Sequence, residues 1–329
     1  MFSILKRRPV PPRTTSARPP GRQWLVLQQG PNPSTDYCIR PRAEASGLPV
    51  SYRHIDADPP TADDLGPGTR VVIVRYLTPA WAQALHRHHA QLAGVVYFMD
   101  DELLNPAAWA ELPKPYRQKL ARYCQRMHPW IDVLATEYWG STAALCEAHA
   151  DRRMQLVPPL PLPEDAHVQP TPWTPDGPLW AFYHGSAAHR AEIEWLRPVV
   201  AEALAQNPRL HFEIIGDHEV NKLYRSLPRT RVLHPLSWPN YLSHCRSFRA
   251  HIGLVPLLPG PFNLGRSHTK VYDVQRLGAR GVFADHACYS SNRPNVESMA
   301  LLPMRQELWV QAIEQIGLGV SSSNRTAPA

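Results

Sequence analysis

The sequence is poor in cysteine and has no long apolar run. Its five cysteines, at positions 38, 124, 146, 245 and 288, are odd in number and form no Cys-x-x-Cys pair. This pattern favours reduced thiols in a cytoplasmic protein. No apolar stretch approaches the roughly 18 residues needed to span a bilayer, so we expect any membrane contact to be peripheral, at the inner face.

Charged residues are also scarce, at 19% of the chain, whereas 43% of the residues are hydrophobic and 10 are tryptophan. A disordered chain has the opposite balance, so the composition predicts a globular protein. Because domains usually contain about 100 to 200 residues, a length of 329 residues predicts two of them.

The basic charge is concentrated at the N-terminus. Residues 1–22 contain no acidic residue and six basic ones: Lys6, Arg7, Arg8, Arg13, Arg18 and Arg22. These account for most of the formal net charge of +7, so the remainder is nearly neutral and nucleic-acid binding is disfavoured. The proline content predicts that this tail is disordered. Phe2, Ile4 and Leu5, beside the basic cluster, could touch an anionic membrane surface, and a solvated arm without a partner is the alternative.

Strand and helix patterns alternate in two stretches of the chain. In residues 23–154, apolar strands such as QWLVLQ and VVIVRYL are separated by helical patterns at 78–94 and 115–127. The alternation restarts in residues 179–318, after a proline-rich stretch at 155–178 that we interpret as a linker. The pattern predicts an α/β protein with two parallel sheets, followed by a flexible tail at 319–329.

A cluster of charged and hydroxyl side chains, RSHTKVYD, lies at the predicted start of a helix and follows the strand pattern AHIGLVPLL. Ligands of open parallel sheets bind beyond the carboxyl ends of strands, where helix N-termini favour anions. Ser267 or Thr269 can cap this helix, and Arg266 and Lys270 add fixed positive charge. Asp273, one turn beyond Lys270, can accept hydrogen bonds from ribose hydroxyls. The cluster predicts a site for a nucleoside diphosphate.

The same stretch resembles the donor site of GT-B glycosyltransferases, in particular of enzymes related to glycosyltransferase family four. The positions that carry the resemblance are Phe262, Asn263, Arg266, Ser267, Lys270, Asp273 and Gly278. AFYHGS at 181–186 and FEIIGD at 212–217 extend it over most of residues 178–318. The resemblance implies two Rossmann-like domains facing across a cleft, and transfer of a sugar from a UDP-sugar or GDP-sugar with retention of configuration. It also implies no cofactor and no metal, a glycan, lipid-linked or protein acceptor, and a place in polysaccharide biosynthesis.

Within this resemblance the chain offers three groups of candidate residues. The catalytic candidates are Asp100, Asp101, His184, Arg266 and Lys270. The candidates for binding the nucleotide sugar are Gly185, Ser186, Gly216, Asp217, Asn263, Arg266, Ser267, His268, Thr269, Lys270 and Asp273. On the acceptor side the candidates are Gly30, Ser34, Thr35, Asp36 and Arg40 in the first strand-to-helix loop, with Arg75 and Tyr76 as weaker ones.

Two features depart from the resemblance. The wider family often has a second acid eight residues before the ribose-binding one, and this position is Gly265. The loop after AFYHGS lacks the Gly-Arg and Lys pair usual in that family, so Arg266 and Lys270 are expected to neutralise more of the diphosphate charge. The missing acid keeps open an alternative, a GT-B-like nucleotide-binding or scaffold protein without catalysis.

The acids that follow the strand GVVYFM have three interpretations. Asp100 or Asp101 can cap a helix with Glu102 in its first turn, which the helix dipole favours. They can instead orient the acceptor or the sugar. In the third interpretation, Asp100 and Glu102 hold Mn²⁺ or Mg²⁺ in a metal-dependent GT-A glycosyltransferase, which would leave the second α/β half without a role.

Two histidine patterns also have structural alternatives. His86 and His89, in HRHH, share one helix face, but two ligands are too few for a metal site and a solvated helix surface is favoured. His184, which precedes Gly185 and Ser186 at a strand end, is either a hydrogen-bonded loop histidine or part of the phosphate and sugar site.

Overall fold

The computed structural model describes residues 17–290 and 299–318. The predicted tail at 319–329, and residues 1–16 of the predicted basic tail with its membrane contact, lie outside the described residues. Arg18 belongs to the part of the predicted tail that the structure describes. It donates to the carbonyl oxygen of His89 at 3.2 Å, so this part of the tail contacts the first unit.

The chain forms two compact units. The first runs to Leu160 and also includes Leu264–Ser267. The second consists of Pro161–Asn263 and the chain from His268 onwards. Within the described ranges no helix is long and apolar enough to cross a membrane, and none of the five cysteines forms a disulfide there.

The first unit contains a six-stranded sheet whose neighbouring strands are all parallel, in the order β2-β1-β3-β4-β5-β6. Its strands are β1 (Gln23–Gln28), β2 (Val50–His54), β3 (Thr69–Val74), β4 (Gly94–Met99), β5 (Glu137–Gly140) and β6 (Gln155–Leu156). Its helices are α1 (Arg40–Ala45), α2 (Pro79–His88), α3 (Lys114–Leu120), α4 (His128–Leu134) and α5 (Ala143–Ala148). Parallel strands need crossover connections, which these helices supply.

The central strands of this sheet are mostly apolar, because a parallel sheet is covered on both faces. Leu25, Val26 and Leu27 of β1 have no exposed surface. The edge strand β2 is only half-buried, and its sequence VSYRH carries no comparable signal. Residues 130–148, WIDVLATEYWGSTAALCEA, form one apolar stretch in the sequence but are divided among three elements, α4, β5 and α5, because polar residues and the bend at Ser141 and Thr142 interrupt the stretch.

The second unit contains another six-stranded parallel sheet, in the order β12-β11-β10-β7-β8-β9. Its strands are β7 (Leu179–His184), β8 (Leu210–Ile215), β9 (Thr230–Leu233), β10 (Ile252–Val255), β11 (Arg280–Ala284) and β12 (Met299–Leu302). Its helices are α6 (Arg190–Gln206), α7 (His218–Tyr224), α8 (Trp238–Ser247), α9 (Thr269–Arg276), α10 (Ala287–Ser290) and α11 (Gln306–Gly317). Its core includes Phe212, Phe283 and Trp309, which are fully buried.

The proline-rich stretch predicted as a linker divides between the two units. Its first residues form β6 in the first unit, and the segment from Pro161 belongs to the second. There a short 3-10 helix at Pro163–His167 is followed by a backbone hydrogen bond in which the Thr171 N–H donates to the carbonyl oxygen of Gly278 at 2.7 Å. The proline-rich segment from Pro161 onwards is therefore part of the folded second unit.

Candidate functional site

The strand order of the second unit creates a switch point between β7 and β10. Numbered from β7, the order is 3-2-1-4-5-6, as in dinucleotide-binding folds. The connections leave these two strands toward opposite faces of the sheet, and ligands of such sheets bind in the crevice beyond their carboxyl ends. β7 ends at His184 and β10 at Val255, so this crevice lies just beyond these two residues.

Lys270 reaches this position from the first turn of α9. Its Nζ donates to the backbone carbonyl oxygen of His184, and to Asp273 Oδ2 at 2.9 Å. Positions 270 and 273 are neighbours on one face of a helix. The Lys270 side chain is 24% exposed, so its ammonium group is fixed at the end of β7 and can still be reached from solvent.

Asp273 forms ion pairs with two basic residues of its own helix. Its Oδ2 accepts from Lys270, and its Oδ1 accepts from Arg276 at 3.2 Å. Burial would raise the pKa of Asp273, but the charges of Lys270 and Arg276 outweigh burial and hold this pKa below its ordinary value. The carboxylate is thus ionised, and any ribose hydroxyl would have to use its remaining lone pairs.

Arg276 extends this network into the proline-rich segment. Its Nε and Nη2 donate to the two carboxylate oxygens of Asp165, at 2.9 and 2.5 Å. Both side chains are almost fully buried, and the guanidinium carbon also lies 5.4 Å from the ring centre of Trp238. Bidentate pairing fixes orientation as well as distance, so Asp165, Arg276, Asp273 and Lys270 form a chain of alternating charge.

The start of α9 differs from the sequence prediction. The residue that precedes the helix is His268, which makes no side-chain capping bond, so the prediction that Ser267 or Thr269 caps it is wrong. His268 is buried, and its Nε2 lies 3.0 Å from Tyr272 Oη one turn along. The ring therefore packs against its own helix, and burial lowers the pKa of His268.

The structure places Arg266 and Ser267 in the first unit, whereas Lys270 and Asp273 belong to the second. Arg266 Nη1 donates to Asp101 Oδ1 at 2.8 Å. At the neighbouring Gly265, an added Cβ would lie 2.7 Å from Leu145 Cδ2, so a side chain at this position would require Leu145 to move.

His184 is packed in the core through its side chain. Its ring lies between Phe182 and Tyr241, with centroids 4.7 and 5.6 Å away. Its Nε2 and that of His244 lie 3.0 and 2.8 Å from the same oxygen, Glu213 Oε1, and Arg231 pairs with the other carboxylate oxygen. The backbone carbonyl of His184, rather than its imidazole, is the group that meets Lys270.

His184, Glu213 and His244 are also the described residues whose donor atoms lie close enough together to hold a metal ion. The hydrogen-bonding interpretation fits better. A metal bound to His184 Nε2 would place the ring proton on Nδ1, which is buried without a hydrogen-bond partner in the described structure. Burial lowers the pKa of His184, which keeps the ring neutral, while hydrogen bonds from both histidines overcome burial and lower the pKa of Glu213.

The remaining donor-side candidates have identifiable packing roles. Gly216 allows close approach of helix α7, since an added Cβ would lie 2.3 Å from Val220. Asp217 caps that helix by accepting from the backbone N–H groups of Glu219 and Val220. Asn263 donates to the buried carboxylate of Glu192 at 2.8 Å. Gly185 is half-buried and Ser186 exposed, and both lie directly after β7.

The first unit has its own switch point, between β1 and β3. Ser34 follows β1, Arg75 follows β3 and Asp100 follows the adjacent strand β4. Ser34 Oγ donates to Asp100 Oδ2 at 2.5 Å, and Arg75 Nε lies 3.3 Å from Asp100 Oδ1. Burial raises the pKa of Asp100, although the charge of Arg75 opposes it. Sequence-predicted residues thus meet here at three strand ends.

Asp101 and Glu102 have other partners. Asp101 bridges two guanidinium groups, with Arg75 Nη2 at 2.6 Å and Arg266 Nη1 at 2.8 Å. Glu102 accepts from His149 at 2.9 Å and from two backbone N–H groups of its own loop. No helix begins at these acids, so the N-capping interpretation is wrong. Asp100 and Glu102, the pair of the metal-binding interpretation, are held by different residues, Ser34 and His149.

The other acceptor-side candidates shape the loop after β1. Gly30 has φ +72°, a conformation that favours glycine. Thr35 and Asp36 are buried in a short π-helical turn, Thr35–Ile39, and Asp36 pairs with Arg40 at 2.7 Å. Tyr76 is buried. These residues position the loop and leave Ser34 to approach Asp100.

The HRHH histidines do not form a common site. His89 is buried, and its Nε2 lies 2.9 Å from the carbonyl oxygen of Leu134. His86 instead packs edge-on against Trp130, with centroids 5.7 Å apart. The sequence predicted a solvated helix surface here. For His89 this prediction is wrong, because the residue is buried.

The sequence analysis did not single out three residues of the buried charge networks, Arg276, Glu213 and Asp165. Each is a charged residue inside an otherwise apolar or proline-rich stretch, and that position was the available signal. A charged side chain is rarely buried without a partner, but the partner's identity depends on tertiary contacts that no local pattern contains.

Comparison with known proteins gives similarity at the level of fold. No protein-family model and no curated protein sequence matches the chain. An apo structure of OtsA has a TM-score of 0.53 at 12% identity, covering 90% of this chain and 91% of that one. A Staphylococcus aureus MnaA–UDP co-structure has a TM-score of 0.50 at 10% identity, covering 90% and 87%.

A mutant of S. aureus TarM in complex with Fondaparinux, alpha-GlcNAc-glycerol and UDP also has a TM-score of 0.50, at 7% identity. The alignment covers 77% of this chain and 49% of that one, and 65% of a trehalose-6-phosphate chain from E. coli bound with UDP-2-fluoro glucose. The chain therefore spans less than two thirds of the length of these two structures. Together with the two parallel sheets, the similarity confirms the predicted fold class: the chain is an α/β protein with two Rossmann-like domains, as in GT-B proteins.

Proposed function

We propose that the protein is a glycosyltransferase that transfers a sugar from a UDP-sugar or GDP-sugar to a glycan, lipid-linked or protein acceptor, with retention of configuration. The observation that carries the proposal is the position of Lys270. Its ammonium group is held at the end of β7, beside the switch point of a Rossmann-ordered sheet, by the His184 carbonyl and by Asp273. Ligands of such sheets bind at this position.

The chemistry of the donor follows from this charge and from the helix. The first N–H groups of a helix have no partner within the helix and attract anions, and α9 begins at Thr269, next to Lys270. A diphosphate would meet these amides, the Thr269 hydroxyl and the Lys270 ammonium. In the transfer step the same groups would stabilise the negative charge of the leaving diphosphate. We propose that they do so without an obligatory metal.

The first unit would supply the acceptor side. Ser34 and Asp100 lie at its own switch point, and the Asp100 carboxylate can accept a hydrogen bond from a hydroxyl group of the acceptor. Asp101 is paired with two arginines, so we assign it to holding the site together. The UDP in the MnaA and TarM structures and the resemblance to glycosyltransferase family four support a nucleotide-sugar donor.

A donor panel tests the proposal. The full chain is incubated with UDP-glucose, UDP-N-acetylglucosamine and GDP-mannose, with and without a mixture of oligosaccharide, lipid and peptide acceptors, and release of nucleoside diphosphate is measured. We expect release from at least one donor, and loss of that release in Lys270→Ala but not in Lys222→Ala, which removes an exposed lysine of the same unit. No release and no binding with any donor would contradict the proposal.

A nucleotide-binding protein without catalysis is the second candidate. It is favoured by Gly265, which stands at the position of the second acid often found in the family that the sequence resembles, and where a side chain would displace Leu145. The same panel separates the two candidates. Saturable binding of a nucleotide sugar without release of its nucleoside diphosphate, under all acceptor conditions, would select the binding protein.

A further inference from the structure

The backbone at the end of β3 is in an unusual conformation. Arg75 has φ +67° and is one of three non-glycine residues with positive φ in the described structure, with Arg153 and Arg229. This left-handed region costs free energy for residues with a side chain and persists only where the surroundings enforce it. Such residues cluster at functional sites.

The surroundings of Arg75 enforce this conformation from both sides of the peptide. Its N–H donates to the carbonyl oxygen of Phe98 at 2.9 Å. Its carbonyl oxygen accepts from Tyr97 Oη at 2.9 Å and from Cys124 Sγ at 3.6 Å. All of these partners belong to the first unit, so its folded core fixes the direction in which the Arg75 side chain leaves the strand.

In this direction the Arg75 guanidinium group reaches two acidic side chains, those of Asp100 and Asp101. Nε lies 3.3 Å from Asp100 Oδ1, and Nη2 donates to Asp101 Oδ2 at 2.6 Å and to Tyr116 Oη at 2.8 Å. Ser34 holds the other oxygen of Asp100. The Arg75 and Asp100 side chains are 19% and 14% exposed, so the pair is largely buried but still accessible to solvent.

We infer that Arg75 is a positioning residue that holds the Asp100 carboxyl group in a fixed orientation at the carboxyl edge of the first unit. The inference rests on the proposed function, in which Asp100 accepts a hydrogen bond from an acceptor hydroxyl. The left-handed backbone lets the residue directly after β3 turn its side chain toward the end of β4, and the guanidinium then fixes the carboxylate there.

The charges around Asp100 decide how it would respond to the loss of Arg75. The titratable and charged groups that face it are Arg75, Asp101, Arg266 and the Cys38 thiol, with the Ser34 hydroxyl as a neutral donor. Burial and Asp101 raise the pKa of Asp100, and Arg75 is the largest influence that lowers it. Removing the guanidinium should therefore raise this pKa further and protonate Asp100 at a higher pH.

The test compares the pH dependence of nucleoside diphosphate release in the wild type, Arg75→Gln and Arg75→Lys. Arg75→Gln should move the acidic limb upward by about one pH unit or more, which is about a tenfold loss of activity on that limb. Arg75→Lys restores a cation and should recover much of the shift. Arg70→Gln is the matched control, because Arg70 lies on the same strand but pairs with Glu137 near the other end of the sheet. An unshifted limb in Arg75→Gln would overturn the inference.

A second readout keeps the inference separate from the proposed function. Carboxyl-carbon NMR of isotope-labelled aspartate, assigned with Asp100→Asn, measures the Asp100 pKa directly and needs no turnover. A higher value in Arg75→Gln than in the wild type supports the inference even if no donor is found, and an equal value contradicts it. If Arg75→Gln does not fold, the same measurement is made on Arg75→Lys. We expect a smaller increase in the Asp100 pKa in this variant, and an unchanged pKa would contradict the inference. Failure of the proposed function would appear instead as a wild type that neither binds nor cleaves any nucleotide sugar.

Discussion

Asp165 and Arg276 form a buried bidentate ion pair, with N–O distances of 2.9 and 2.5 Å, although they lie 111 positions apart in the chain. The pair joins the proline-rich segment to α9, the helix that carries Lys270. Because Arg276 also contacts Asp273, the segment is connected through charge to the proposed donor site. This segment is part of the second unit rather than a free connection.

The first prediction concerns the stability of this attachment. Asp165→Ala leaves Arg276 buried without its bidentate partner, so residues 161–178 should detach more often and be cleaved faster in limited proteolysis. The control is Asp176→Ala, which removes an exposed acid from the same segment and should leave the cleavage rate unchanged. Equal cleavage rates for the two variants would show that the ion pair does not hold the segment.

A second prediction concerns Asp273. Asp273→Asn removes a buried negative charge from between Lys270 and Arg276, and breaking a buried ion pair in this way costs about 3 kcal/mol. We expect the free energy of unfolding of the second unit to fall by this amount in urea titrations. Glu194→Gln, which breaks an exposed pair with Arg190, should change it by less than about 1 kcal/mol. A variant as stable as the wild type would mean that the charge chain is not structurally important.

The fold was predictable from sequence wherever burial is continuous. Strands such as β1 and β4 are buried on both faces and have mostly apolar sequences, and the repeated alternation with helices indicated two parallel sheets. The half-buried strand β2 and the attached proline-rich segment were not predictable, because neither has an apolar period. Their positions depend on pairing with β1 and on the Asp165–Arg276 contact, which are separated widely in sequence.

A third prediction concerns pH. Burial holds the pKa of His184 below its ordinary value, so as the pH falls below about 6.5 the unfolded chain binds a proton there before the folded protein does. Stability must then decrease with falling pH, by at most about 1.4 kcal/mol per pH unit for one proton. His184→Gln should reduce this slope, with His218→Gln, which changes an exposed histidine of the same unit, as the control. The same slope in His184→Gln and the wild type would contradict the assignment.

The candidate site was predictable in part. The position of Lys270 and Asp273 on one face of a helix after a strand follows from local sequence, and the structure brings these two side chains together. The grouping of Arg266 with them came from proximity in sequence, but Arg266 pairs with Asp101 of the first unit. The left-handed backbone at Arg75 was not predictable, because it depends on the surrounding hydrogen bonds and has no signal in the sequence.

The proposed donor site depends most directly on Lys270 as a ligand for phosphate. Calorimetric titration of the full chain with UDP, GDP and the matching nucleosides tests this, using the wild type, Lys270→Ala and the exposed control Lys222→Ala. We expect one nucleoside diphosphate to bind the wild type and the control equally, and to bind Lys270→Ala at least about tenfold more weakly, since a charge-assisted hydrogen bond contributes about 1.5 to 3 kcal/mol. Affinity for the nucleoside should be unchanged. Equal diphosphate affinity in Lys270→Ala and the wild type, or no binding of any nucleotide, would contradict the account.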